Sequence, residues 1–189
     1  MDKSLCTVAR ATGILSKYVT KPNLVKHMVA VSEAMRHFAR IEGEDEEYWA
    51  TVGLLHDIDY ELYPDMHTNE TTVKILTDEG YDKDFIHAVQ SHGFEICNDI
   101  CPICYMEEVL SVVDQLSGFI IACALMKPNK KLEEVDLPSI QKKWKDRKFA
   151  AGTERDRIML CCERMGKDFD YMAGETLKAL QNVAGKLGL

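Results

Sequence analysis

The chain has 189 residues, 46% hydrophobic and 29% charged, which is enough for a proper core without disulfide or metal staples and ordinary for a soluble globular protein. Its formal net charge of −8 argues against a nucleic-acid backbone as main partner, because that binding rests on clustered Lys and Arg. The seven cysteines are an odd number, and the N-terminal stretch MDKSLCTVARATGILSKYV has no apolar core long enough for a signal peptide, so reduced thiols in a cytoplasmic protein are expected.

The pattern is helical almost throughout. A first helix is predicted over about Lys3 to Tyr18. Leu24 to Ile41 places apolar residues near a 3.6 period, with Pro22-Asn23 suited to its start and Gly43 to its end. Glu44 to Ile58 follows, with acidic residues in the first turn, where the helix dipole favours them. Thr68 to Glu79 and Asp82 to His92 are two further helices, closed by Gly80 and Gly93. Tyr105 to Met126 is a long one stopped by Pro128. Its most apolar part, from Val109 on, contains Asp114 and Gln115 and reads as a buried core helix, so no membrane partner is expected. The lysine-rich segment Lys127 to Lys148 is the candidate for a mobile, solvent-facing connection, although a helix is also predicted near Ser139 to Lys148. Helices near Thr153 to Met165 and Phe169 to Leu187 complete the chain. No run of alternating β-branched residues demands a sheet, and there is no internal repeat. The expected fold is therefore all-α, a bundle of about seven to nine helices in a single domain over 1–189.

Four of the six histidines stand at helix ends or in adjoining loops: His27, His56, His67 and His92. Such places let side chains from different helices converge. Asp114 is the other anomaly, a carboxylate in the apolar run VLSVVDQLSGFIIACAL. It is costly there unless it is paired or holds a cation, and no Arg or Lys lies between Tyr105 and Met126 to pair with it. A metal or a histidine from elsewhere is the expected compensation. Imidazole and carboxylate donors together suit zinc, manganese, iron, cobalt or nickel better than calcium.

The order of these residues, His27, then His56-Asp57 in LLHD, then Asp114 in SVVDQL, resembles the HD superfamily of metal-dependent phosphohydrolases. The resemblance spans about residues 20 to 125. It implies a helical bundle with a metal-bearing core over about 20–126 and a C-terminal helical extension over about 127–189. It also implies one divalent transition metal held by His27, His56, Asp57 and Asp114. Members with a second ion carry extra histidines between the His-Asp pair and the last aspartate, and His67 and His92 match that arrangement, with Asp57 as the bridge. His87 lies about 140° from His92 around its helix and is expected to be structural or to support a ligand; His37 is not expected to ligate. The implied activity is hydrolysis of a phosphomonoester, a nucleotide or a phosphodiester through a metal-activated water. The alternatives are a di-iron oxygenase of the same fold, or a catalytically silent module that binds nucleotide and regulates.

Catalytic roles are assigned to Asp57, Asp59 and Glu61. The last two follow the His-Asp pair where many members have Gly-Lys; they read either as solvated loop charges or as residues that orient a metal histidine or take a proton. Lys142, Lys143, Arg155 and Arg157 lie in a basic stretch that reads either as a solvated face or as phosphate contacts above the metal, and they are the candidate substrate-binding residues. Cys97, Cys101 and Cys104 have the spacing C-x3-C-x2-C. The chain shows no βα repeats, which sets aside the iron–sulfur barrels that share this spacing. Ordinary thiols in a loop over the site are expected, with a structural zinc or a redox-responsive group as the alternatives.

Overall fold

The computed structural model describes residues 5–64 and 67–189. Among these there are ten α-helices and no strand beyond an isolated bridge between Phe94 and Asn98. The helices are α1 (Val8–Tyr18), α2 (Pro22–Glu42), α3 (Glu46–Leu55), α4 (Glu70–Asp78), α5 (Lys83–Ser91), α6 (Tyr105–Leu125), α7 (Leu137–Trp144), α8 (Arg155–Met165), α9 (Phe169–Asn182) and α10 (Ala184–Leu187). Lys3, where the sequence places the start of the first helix, lies outside the described residues.

Local chemistry sets the ends. Pro22 opens α2 at a position where its missing N–H costs nothing, and Gly43 closes it at φ 73°, donating back to the carbonyls of Ala39 and Arg40. Asp45, Asn69 and Asp82 cap α3, α4 and α5, each side chain accepting a first-turn N–H. The helix predicted over Glu44 to Ile58 stops at Leu55, and residues 56–62 continue as turns. His56 thus sits at a helix end.

The long helices α2 and α6 form the centre. Met28, Val31, Met35 and Phe38 of α2 and Val109, Leu110, Val113, Leu116 and Ile120 of α6 are buried. Helix α6 is long and apolar enough to cross a membrane by composition, and it lies mostly buried inside the fold. Helix α3 packs close against α2 because Gly53 has no side chain. A Cβ there would meet Met35 Cγ at 2.9 Å and the Ser32 Cα at 3.1 Å. Ser32 Oγ donates to the Ala50 carbonyl across this contact at 2.8 Å.

Segment 127–148 is not a loose connection. It folds into a 3-10 turn over Leu132–Glu134 and then α7. Leu132, Val135 and Ile140 are buried, and Gln181 Nε2 of α9 donates to the carbonyls of Leu132 and Val135 at 3.1 and 3.3 Å. The lysines that dominate its composition face outward while a few apolar residues anchor it. The last predicted helix is interrupted at Val183, giving α9 and the short α10.

Candidate metal centre

The site begins with a device used twice. His56 and His92 are the C-caps of α3 and α5. The last turn of a helix has carbonyls without intrahelical partners. His56 Nδ1 donates to the Gly53 carbonyl at 2.8 Å, and His92 Nδ1 donates to the Val89 carbonyl at 2.6 Å, each reaching back three residues. The proton is thereby fixed on Nδ1, and the Nε2 lone pair of each ring is aimed into the interior. His92 Nε2 is buried without a hydrogen-bond partner, as is His67 Nδ1. Orphaned buried donor atoms of this kind are costly unless something binds them.

Asp57 stands between two groups of rings. Its Oδ2 faces His27 Nε2 at 3.7 Å and His56 Nε2 at 3.4 Å. Its Oδ1 faces His67 Nδ1 at 3.3 Å and His92 Nε2 at 3.4 Å. Asp114, from α6, adds Oδ1 at 3.0 Å from His27 Nε2 and 3.5 Å from His56 Nε2. Gln115 Nε2 donates to the other Asp114 oxygen at 3.1 Å. Three overlapping groups can hold an ion, each with its donor atoms within 4.8 Å of one another: His27, His56 and Asp57; His56, His92 and Asp114; and Asp57, His67 and His92. The donor set, nitrogen and carboxylate oxygen with orphaned lone pairs, fits a divalent transition metal.

The loop carrying His67 is held under strain. Thr68 has φ 59°, a rare conformation for a β-branched residue, with a cost of about 1–3 kcal/mol. Its N–H donates to Asp59 Oδ1 at 3.3 Å, Gln90 Nε2 donates to its carbonyl at 2.8 Å, and Asn98 Nδ2 donates to its Oγ1 at 2.7 Å. Gly93 allows this crowding, since a Cβ there would stand 2.6–2.7 Å from Asn98 Nδ2, Cys97 Sγ and Thr68 Oγ1.

Asp59 is fully buried beneath that loop, so it is neither a solvated charge nor a residue facing the cavity. It positions the turn that presents His67. Glu61 has a different task from the catalytic one expected. Its carboxylate accepts the N–H groups of Thr20 and Lys21 at 2.8 and 2.9 Å and the Thr20 hydroxyl at 2.7 Å, which caps the entry to α2. These bonds hold its pKa down at about 2. Helix α2 needs such help because its own N-cap, Lys21, makes no side-chain cap.

The cluster is electrostatically tense. Burial disfavours the charged form of His56, but Asp57 and Asp114 outweigh it and push its pKa well above the ordinary imidazole value. Burial also works against the charge on Asp57 and Asp114. The surrounding imidazoles overcome it, chiefly His56 for Asp57 and His27 with His56 for Asp114, and hold both carboxyls well below the usual range. His67 is opposed by burial yet raised by Asp57 and Cys97 to about 10. Burial lowers His92, and the nearby His56 adds to that effect. A cation here would balance two buried carboxylates in place of protonated imidazoles, so metal binding is expected to release protons.

His27, Asp57, His67, His92 and Asp114 line one cavity of about 920 Å³. The four basic residues expected to bind substrate are not part of its wall. Arg155 is 4% exposed and spends its guanidinium on the carbonyls of Trp144, Asp146, Phe149 and Ala150. Arg157 reaches the Ser91 carbonyl at 3.4 Å and Ser111 Oγ at 3.3 Å. Lys142 is solvent-exposed, and Lys143 lies over the Phe149 ring at 4.7 Å. The lysine in the cavity wall is Lys21, joined by Asn23. The sequence signal for it, a lysine directly before a Pro-Asn helix start, is visible but not specific.

The remaining histidines are paired elsewhere, His37 with Glu175 at 2.8 Å and His87 with Glu107 at 2.9 Å. Cys97 lines the cavity beside Thr68, while Cys101 and Cys104 are exposed. Among the described residues no cysteine belongs to a metal-holding group.

A family model described as HD domain matches residues 24–118, half of the chain. The chain belongs to the HD domain family. No curated protein and no solved structure matches it. The HD match contains every residue of the His–Asp cluster, from His27 to Asp114. It leaves out Gly152, Thr153 and Glu154, which also line the cavity. The HD domain of this chain thus carries His–Asp groups that could hold a metal, with one wall of its cavity built by sequence beyond the family match.

Proposed function

We propose that the protein is a metal-dependent phosphohydrolase acting on a small phosphate ester. The observation that carries this reading is the division of Asp57: its two oxygens face two separate histidine pairs on the floor of an open cavity. One or two divalent transition-metal ions held there supply positive charge to polarise a phosphoryl oxygen and lower the pKa of water.

The chain's own residues do the rest. His56 and His92 keep their rings in one tautomer through the Gly53 and Val89 carbonyls. Gln115 orients Asp114, and Asp59 orients the turn that offers His67. Lys21 adds a cation that attracts the ester's phosphoryl group and stabilises the charge that develops on its oxygens. The buried, ionised carboxylates of Asp57 and Asp114 favour cations over anions on the floor.

The test is a panel of phosphate esters offered to protein of defined metal content, with phosphate release as readout. Turnover with wild type and its loss in Asp57→Ala is the expected outcome. Full activity in metal-depleted Asp57→Ala would sink the reading. Oxygen consumption by an iron-loaded sample without phosphate release would instead favour the oxygenase alternative.

A further inference from the structure

The cavity has a shape and a charge pattern that the hydrolase reading leaves unused. Gly118 lies in the middle of α6, a buried helix, yet is itself exposed in the cavity wall. A Cβ built on it would meet nothing within 4 Å. A glycine inside a helix costs about 1 kcal/mol relative to alanine, and no close packing compensates for it here. It stands one turn beyond Asp114 on the same face, so it keeps open the space directly past a metal-ligating carboxylate.

The far side of that space is the turn Gly152–Glu154. The Glu154 N–H donates to Gln115 Oε1 at 3.3 Å, and Gln115 also holds Asp114. The turn is anchored from behind by Arg155 through its carbonyl bonds, including the one to Ala150, which has φ 43°. Phe119, next along the helix, backs the same wall but is only 1% exposed, its ring packed against Trp144 and Phe149.

The charges are sparse. Among the described residues of the wall, Lys21 is the lysine, there is no arginine, and Glu154 is the acidic residue apart from the metal cluster. The Lys21 ammonium forms no ion pair among the described residues. The N–H groups of the first turn of α2 stand beside it.

We propose that this cavity selects phosphomonoesters and rejects di- and triphosphates. One phosphoryl group lies between Lys21 and the His–Asp cluster, and the organic group lies in the space left open at Gly118 under the Gly152–Glu154 turn. A second phosphate brings further negative charge to a wall whose described residues offer no further lysine or arginine, where Glu154 repels it. The proposal rests on the hydrolase reading for its site and extends it to the substrate class.

Binding tests it apart from turnover. Metal-loaded protein is titrated calorimetrically with inorganic phosphate, phenylphosphonate and magnesium-saturated tripolyphosphate, and metal content is measured after each titration. Wild type is expected to bind phenylphosphonate at least about tenfold tighter than tripolyphosphate, the worth of one charge-assisted contact. Lys21→Met should weaken inorganic phosphate and phenylphosphonate alike, by about tenfold. Gly118→Leu should lose phenylphosphonate while keeping inorganic phosphate, with circular dichroism and metal content unchanged. Gly118→Ala, a milder change that favours the helix, should fall between. Glu154→Gln should narrow the gap between the two larger ligands. Equal or tighter binding of tripolyphosphate, or a Gly118→Leu variant that binds phenylphosphonate like wild type, overturns the proposal. Absence of turnover on every ester overturns the hydrolase reading instead, and the titrations still decide this one.

Discussion

Because each oxygen of Asp57 faces a different pair of histidines, the ligands should not be equivalent on removal. With two ions bound, His92→Ala is expected to lose about one metal equivalent and Asp57→Ala both, since a bridging carboxylate serves both donor groups. Elemental analysis of purified, dialysed protein checks this; equal losses in the two variants would contradict a bridging Asp57. Glu61 gives a prediction of a different kind. Its folded pKa of about 2 lies below the ordinary glutamate value of 4.5. The stability it contributes is therefore fully present above pH 4.5 and is lost as pH falls toward about 2. Glu61→Gln should flatten the acid limb of the stability curve in that window and leave stability near neutrality set mainly by the loss of one cap. A denaturation series from pH 2 to 7 on both proteins shows whether the limb changes.

Between elements, two glycines bring the ligands together. Gly53 lets α3 approach α2, which sets His56 beside His27 with their Nε2 atoms 3.2 Å apart. Gly53→Ala forces a Cβ against the backbone of α2 and is expected to destabilise the fold by about 1–3 kcal/mol, read by urea denaturation. Gly93→Ala meets mostly side-chain ends, those of Asn98, Cys97 and Thr68. Its expected effect is local: Thr68 shifts, His67 swings away, and metal affinity falls more than global stability does. Calorimetric metal titration set beside a denaturation curve separates the two, and an unchanged metal affinity would count against the role given to this turn.

At the scale of the molecule, the cluster joins α2, the ends of α3 and α5, the His67 loop and α6 at one point. An ion there ties them together, and stripping it with a chelator should lower the melting temperature, with recovery on adding back zinc or manganese. At a free ion concentration 100 times Kd the expected contribution is about 2.7 kcal/mol. The sequence alone determined the all-α class and most helix spans, because helical periodicity is a local fact, and it marked Asp114 through the cost of a carboxylate on an apolar helix; the His–Asp cluster as a set was legible through the resemblance to the HD superfamily. It did not determine the roles of Asp59, Glu61 and Arg155. In sequence these are charges near a motif; in the fold they are spent on backbone groups of Thr68, of Thr20 and Lys21, and of the segment before α8. Nor did it single out Lys21, Gly118 and Glu154 as neighbours, since they come from three separate stretches of chain. The sequence carries the chemistry of the donors through residue type and spacing. Only the packing of helices decides which other side chains share their cavity, because that depends on the angles and close approaches between elements distant along the chain.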